Sequence, residues 1–181
     1  MPAGGTEAVI VVAIGYRMGG LGFMAMPELT AESTHKSSGN YGLLDQIFGV
    51  QWVKRNIASF GASSSPKVVV FGQSAGAYDI SSLLASPLAA DLFDGAIMES
   101  PYQTFFWRTL ATSEKTGSSC AALHHCDNAT DKLGCMRALS TREAYDCQAA
   151  RLGTVGNLMQ ELVTPNVDGS VYCVPVKFSA F

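Results

Sequence analysis

The sequence predicts an α/β fold, a parallel sheet with crossover helices, on three features. The run Ala8-Val9-Ile10-Val11-Val12-Ala13-Ile14 is apolar without alternation, as in a strand buried on both faces of a parallel sheet. From Tyr41 onward, Leu43, Ile47, Val50, Val53 and Ile57 recur at three- and four-residue steps, which places them on one face of a helix. The β-branched run Val68-Val69-Val70 precedes a glycine-flanked turn and a second helical segment. Strands and helices therefore alternate, the order of βαβ units with right-handed crossovers.

Each element follows from local chemistry. Residues 15–23 are punctuated by Gly15, Gly19, Gly20 and Gly22, and residues 28–39 are polar and read as a surface loop. Asn40 stands at the start of the first long helix as a candidate cap, and Phe60-Gly61 ends that helix. A turn over 62–66 leads into a strand over 68–71, then a helix over 75–85 stopped before Pro87. Gly95-Ala96-Ile97-Met98-Glu99 reads as a third strand, and beyond Pro101 the pattern changes to loops and short helices over 114–124 and 141–150. Residues 1–181 read as part of one domain, 1–100 forming a sheet core and 101–181 a loop and helix region.

Composition narrows the function classes. The chain has 181 residues, 48% of them hydrophobic, and a net charge of −3. No basic run exceeds Lys54-Arg55, so a nucleic-acid partner has no electrostatic footprint. The apolar run is far too short to span a bilayer. Met1-Pro2-Ala3-Gly4-Gly5 lacks the basic and apolar regions of a signal peptide. Cys120, Cys126, Cys135, Cys147 and Cys173 all lie in the C-terminal third. Their spacing lacks the closely paired ligands of a zinc site, and His124-His125-Cys126 has no second ligand pair, so no metal is expected. Asn128-Ala129-Thr130 is an N-glycosylation sequon between Cys126 and Cys135. Cysteines and sequon together favour an oxidising, secretory compartment.

Phe71-Gly72-Gln73-Ser74-Ala75-Gly76-Ala77 carries the chemistry. Gly-x-Ser-x-Gly between a strand and a helix is the pattern of a nucleophile elbow. Ser74 must sit on a turn tight enough to strain its backbone, which lifts the hydroxyl above the sheet. Side chains at Gly72 and Gly76 would collide with the neighbouring strand and helix. The Ala75 amide then points to where the carbonyl oxygen of an ester acquires charge.

Longer runs join this motif. Tyr16-Arg17-Met18-Gly19-Gly20-Leu21-Gly22-Phe23, then Gly39-Asn40-Tyr41-Gly42-Leu43-Leu44-Asp45-Gln46, then the elbow, stand in an order and spacing that resembles type-B carboxylesterases. These form the cholinesterase/lipase group of the α/β-hydrolases. The likeness continues through Leu92-Phe93-Asp94-Gly95-Ala96-Ile97 and Cys135-Met136-Arg137-Ala138-Leu139 to Pro165-Asn166-Val167-Asp168-Gly169. It implies a partial α/β-hydrolase fold, incomplete at both ends, and a serine hydrolase acting on small carboxylic esters without a cofactor.

By the same resemblance, Ser74 is the nucleophile and the Ala75 amide one oxyanion donor. Ser100 aligns with a buried serine near the site, and Trp107 with an acyl-pocket aromatic. On the residues alone Ser100 reads as a hydrogen-bonded structural serine, and Trp107 equally as core. The resemblance pairs Cys126 with Cys135, leaving the pairing of Cys120, Cys147 and Cys173 open. It also makes Arg17 and Asp45 a buried ion pair, whose one-sided loss would cost several kcal/mol.

Three positions depart from the family pattern: Gln73 replaces glutamate, Gly15 asparagine and Pro101 glycine. The family's acid and histidine follow the serine at positions that His35, His124 and His125 do not occupy. Most of the oxyanion hole belongs before the first strand. The acid, the histidine and those donors are therefore expected outside these residues. The alternative reading is a non-catalytic cholinesterase-like adhesion module or an inactive truncated product.

Overall fold

The computed structural model of the chain describes residues 9–101, 108–149 and 164–171. Its centre is a parallel pair, β1 (Val69–Gln73) and β2 (Gly95–Glu99), in register from Val69↔Gly95 to Gln73↔Glu99. Parallel neighbours need a crossover, and helix α4 (Ala75–Ala85) with the 3₁₀ turn Pro87–Ala89 supplies it. Asp94 closes the near end of the pair. Its amide donates to the Val68 carbonyl at 2.7 Å, and its carboxylate accepts from the Val68 amide at 2.8 Å.

Two short helices, α1 (Gly19–Phe23) and α2 (Pro27–Glu32), precede the 16-residue helix predicted from its apolar stripe, α3 (Tyr41–Asn56), which a 3₁₀ turn at Ile57–Phe60 follows. Leu43, Ile47, Val50 and Ile57 are buried. Leu43 and Ile47 pack with Leu83, Ala89 and Val171 in one core cluster. Gly61, at φ +95°, ends the turn in the left-handed conformation that glycine adopts without strain.

Two expectations about this half change. Residues 9–14 form no strand among the described residues, and Val9 is 82% exposed. Continuous apolar sequence announces burial only where strands flank it. Here Val12 and Ile14 meet Phe48 and Trp52 of α3 along a groove, and no described strand completes a ladder. Among the described residues the sheet beside the elbow therefore has two parallel strands rather than three. Residues 28–39 are not a plain surface loop either. Pro27 opens α2, and Ser37, Ser38, Gly39 and Asn40 are buried.

Their burial is polar and satisfied. The Asn40 side chain does not cap α3. Its amide donates to the Asn166 carbonyl and to Asp168, both at 2.9 Å, and its oxygen accepts from the Asn166 amide at 2.9 Å. Ser37 donates to the same Asp168 carboxylate, whose other oxygen accepts from the Ser170 and Val171 amides. A capping bond is worth about 1 kcal/mol. Matching several buried polar groups outweighs it, because each would cost about 1–3 kcal/mol unpaired.

The remaining elements are β3 (Arg108–Thr109), α5 (Leu110–Leu123), α6 (Lys132–Arg137), α7 (Thr141–Ala149) and β4 (Asn166–Val167). Strands β3 and β4 pair in parallel. Ser140 and Glu143 form a reciprocal capping box at the start of α7. Disulfides Cys120–Cys147 and Cys126–Cys135 knit α5, α6 and α7. Met24, Met26 and Ala121 pack around them as a second core. Lys132 and Arg137 of α6 reach Glu28 and Glu32 of α2. Among the described residues no helix is long and apolar enough to cross a membrane.

Candidate active site

Ser74 stands between β1 and α4 with φ +51° and ψ −113°. A residue other than glycine at positive φ is strained, and such strain persists where the surroundings enforce it. Three hydrogen bonds do so. The Ser74 amide donates to the Glu99 carbonyl at the end of β2 at 2.9 Å. The Ser74 carbonyl accepts from the Ala77 and Tyr78 amides at 2.9 and 3.2 Å. The hydroxyl is left half-exposed, without a hydrogen-bond partner among the described residues.

The two glycines of the motif are not equivalent. A Cβ on Gly72 would lie 2.6 Å from the Gly76 carbonyl carbon, so glycine lets β1 and the first turn of α4 close on each other. A Cβ on Gly76 would meet nothing within 4 Å. The clash predicted for Gly76 requires a neighbour on that side, and the described residues supply none. Ala75 opens α4, so its amide is one of the donors that a helix start leaves without an intrahelical acceptor. The positive end of the helix dipole lies there too.

Ser100 follows β2 directly, exposed and with φ +53°. Since Gln73 pairs with Glu99, Ser74 and Ser100 leave the carboxyl ends of adjacent parallel strands side by side. That end of an open α/β sheet is where ligands bind. The resemblance implies a buried serine here, whereas no element among the described residues covers Ser100. Gln73 is exposed, and a Cβ on Gly15 would meet nothing within 4 Å. Trp107 and Cys173 lie outside the described residues.

Arg17 and Asp45 meet through three contacts. The Arg17 backbone amide and Nε donate to Asp45 Oδ2 at 3.0 and 2.7 Å, and Nη2 to Oδ1 at 2.7 Å. These bonds hold the Asp45 carboxyl below its ordinary pKa and the guanidinium above its own. The pair is not buried: the side chains are 53% and 26% exposed. It joins the end of the 9–17 segment to the first turns of α3 from the outside.

Cys126 and Cys135 close a loop, and Asn128 lies exposed on its turn. Cys120 pairs with Cys147, which the sequence left open. His124 lies within 4.8 Å of both those sulfurs. Because the sulfurs are joined to each other, this trio offers no thiolate to a metal. His35 and His125 are exposed.

One contact near the elbow was missed. The Tyr16 hydroxyl donates to Asp79 Oδ2 at 2.5 Å, with the buried Gln46 side chain beside both residues. Burial pushes the Asp79 carboxyl above its ordinary pKa, and the Tyr16 phenol is raised by burial and then by Asp79. The signal available in the sequence was an acidic residue between Ala77 and Ile80, two positions that helical spacing turns inward.

Known proteins resemble this chain. The chain is 45% identical over 116 residues to a fumonisin B1 esterase of Sphingopyxis macrogoltabida, covering 64% of this chain and 21% of that protein. It is 38% identical over 139 residues to a cocaine esterase of Homo sapiens, covering 76% of this chain and 24% of that one. The chain thus spans about a quarter of the length of these relatives. A solved PNB esterase, an α/β-hydrolase, superimposes with a TM-score of 0.73 at 29% identity, covering 88% of this chain and 32% of that one. The sequence profile of the Carboxylesterase family matches residues 4–178, and the chain belongs to that family, type-B carboxylesterases of the α/β-hydrolase fold.

Proposed function

We propose that Ser74 is the nucleophile of a carboxylic ester hydrolase. The observation that carries this reading is the backbone of Ser74, held at φ +51° with its hydroxyl uncommitted at the carboxyl end of β1. The oxygen attacks the ester carbonyl as its proton passes to a histidine outside these residues, and the Ala75 amide is one donor to the tetrahedral oxyanion. Expulsion of the alcohol leaves an acyl-serine, which water then hydrolyses. No metal or organic cofactor enters these steps.

The relatives are named for unlike esters, fumonisin B1 and cocaine, so the proposed substrate class stays at small carboxylic esters. Two disulfides and the exposed sequon at Asn128 support folding in the secretory pathway with a glycan at Asn128. Glycosidase treatment of secreted protein should increase its gel mobility, and Asn128→Gln should abolish that shift.

The decisive experiment treats the longer protein carrying residues 1–181 with a fluorophosphonate and maps the adduct by mass spectrometry. Labelling at Ser74, lost in Ser74→Ala, is the expected result. A folded protein that takes no label would instead favour the non-catalytic binding module.

A further inference from the structure

A serine held at positive φ needs its helix fixed in place, and the bonds around Ser74 itself reach only β2 and the first turn of α4. Asp79 lies five residues further on, about one and a half turns into the helix. Its carboxylate faces Tyr16, from the segment that precedes α1, and Gln46, on α3. One half-buried side chain therefore ties the elbow helix to the segment before α1, with α3 alongside.

The chemistry of this contact is unlike that of a spare helix position. Among the described residues no cation pairs with Asp79: the groups beside its carboxylate are Tyr16 and Gln46, while Asp45 is engaged by Arg17. Gln46 is 5% exposed, and its Oε1 is buried with no partner among the described residues. Withdrawing a carboxylate and an amide from water without full pairing costs stability. An alanine at 79 would avoid that cost but lose the 2.5 Å bond.

We infer that Asp79 is a positioning residue for the elbow, held by the Tyr16 hydroxyl so that α4 keeps Ser74 and the Ala75 amide aimed at the ester. The inference rests on the reading of Ser74 as nucleophile. Asp79 acts through α4 and touches no substrate. Catalysis is sensitive to such control, since a misplacement of about 1 Å can cost roughly a hundredfold in rate.

The test compares Tyr16→Phe and Asp79→Ala, which remove the bond, with Asp79→Asn, which keeps an acceptor for the Tyr16 hydroxyl. All are made in the longer protein carrying residues 1–181. Active sites are titrated with a fluorophosphonate, so that kcat is counted per competent serine and unfolded protein drops out. Positioning predicts that kcat per site falls about tenfold or more in the first two variants, with KM changed less than twofold. Asp79→Asn should stay within about threefold of the parent, and the double variant should be no worse than either single one.

Hydrogen exchange supplies a second readout that needs no activity. The amides of residues 75–78 should exchange faster in Tyr16→Phe and Asp79→Ala, with α5 and α7 unchanged. Unchanged kcat per site in both variants, or an Asp79→Asn as slow as Asp79→Ala, overturns the inference. An unlabelled parent overturns the nucleophile reading instead, and exchange at 75–78 still decides whether the Tyr16–Asp79 bond holds the elbow.

Discussion

Phe71, in the middle of β1, is 63% exposed, whereas Cys126, in a turn after α5, is fully buried. The inversion runs through both halves of the molecule. Val69, Phe71 and Ile97 of the β1–β2 pair are exposed, as are Val9 and Val11. The disulfide half covers its cysteines and methionines with α5, α6, α7 and α2. The half that holds the candidate nucleophile is thus built from strands and left open. The half with no proposed chemistry is closed, cross-linked and capped. A sheet buries its faces against whole layers and its edges against further strands, while a short helical unit can close upon itself with covalent help.

The largest effect expected from this contrast concerns residues 1–181 expressed alone. The open strands should make the chain poorly soluble or loosely packed, with dye binding to exposed apolar surface. Amide exchange should be fast in β1 and β2 and slow in α5. A soluble monomer with one sharp thermal transition and uniformly slow exchange would break the comparison.

Next come the disulfides. Cys120–Cys147 spans 27 residues and Cys126–Cys135 spans 9. Loop-closure entropy assigns roughly 3.5 and 2.5 kcal/mol to loops of these lengths. Replacing each pair by alanines should therefore lower the denaturation midpoint of the disulfide half, more for the longer loop. Exchange rates in β1 and β2 should stay as they were. Equal losses in both halves would show that the two share one cooperative unit.

Asp79 tests the open half through pH. Its folded pKa is raised, so the folded state holds the proton more tightly than the unfolded state does. Any stability from this linkage is fully present below the unfolded value of about 3.9. It is lost as pH rises through the folded value. Asp79→Asn should therefore be more stable than the parent at pH 7, with the gap closing as pH falls toward 4. Urea midpoints measured across that range check both sign and trend.

How far each half was legible follows from how local its determinants are. The helix over 75–85, the strand at Gly95–Glu99 and the stripe of α3 rest on contacts within or beside themselves, and they stand where their spacing puts them. Residues 9–14 do not, because a buried strand is defined by neighbours that its own composition cannot specify. Asn40 was misread for a related reason. Its best partners, Asn166 and Asp168, lie more than 120 residues away in sequence. The strain at Ser74 was readable because glycine spacing encodes it locally. The bond between Tyr16 and Asp79 spans 63 residues and left only a misplaced acid as its trace.

The smallest effect expected is at Arg17 and Asp45, and it separates geometry from burial. The fork is bidentate with a backbone bond added, a favourable case for an ion pair. Yet Arg17 is 53% exposed, so water and salt screen it. Exposed pairs contribute about 0–1 kcal/mol, whereas loss of one partner from a buried pair costs about 3–5. Arg17→Met should accordingly cost under about 1 kcal/mol, and raising the salt concentration should shrink the difference. Because Asp45 has a lowered folded pKa, its share of stability is present above the unfolded value of about 3.9. That share is lost as pH falls through the folded value, the reverse of Asp79. A salt-independent loss of several kcal/mol would mean that other parts of the protein cover this fork, and the open half would then begin beyond Arg17.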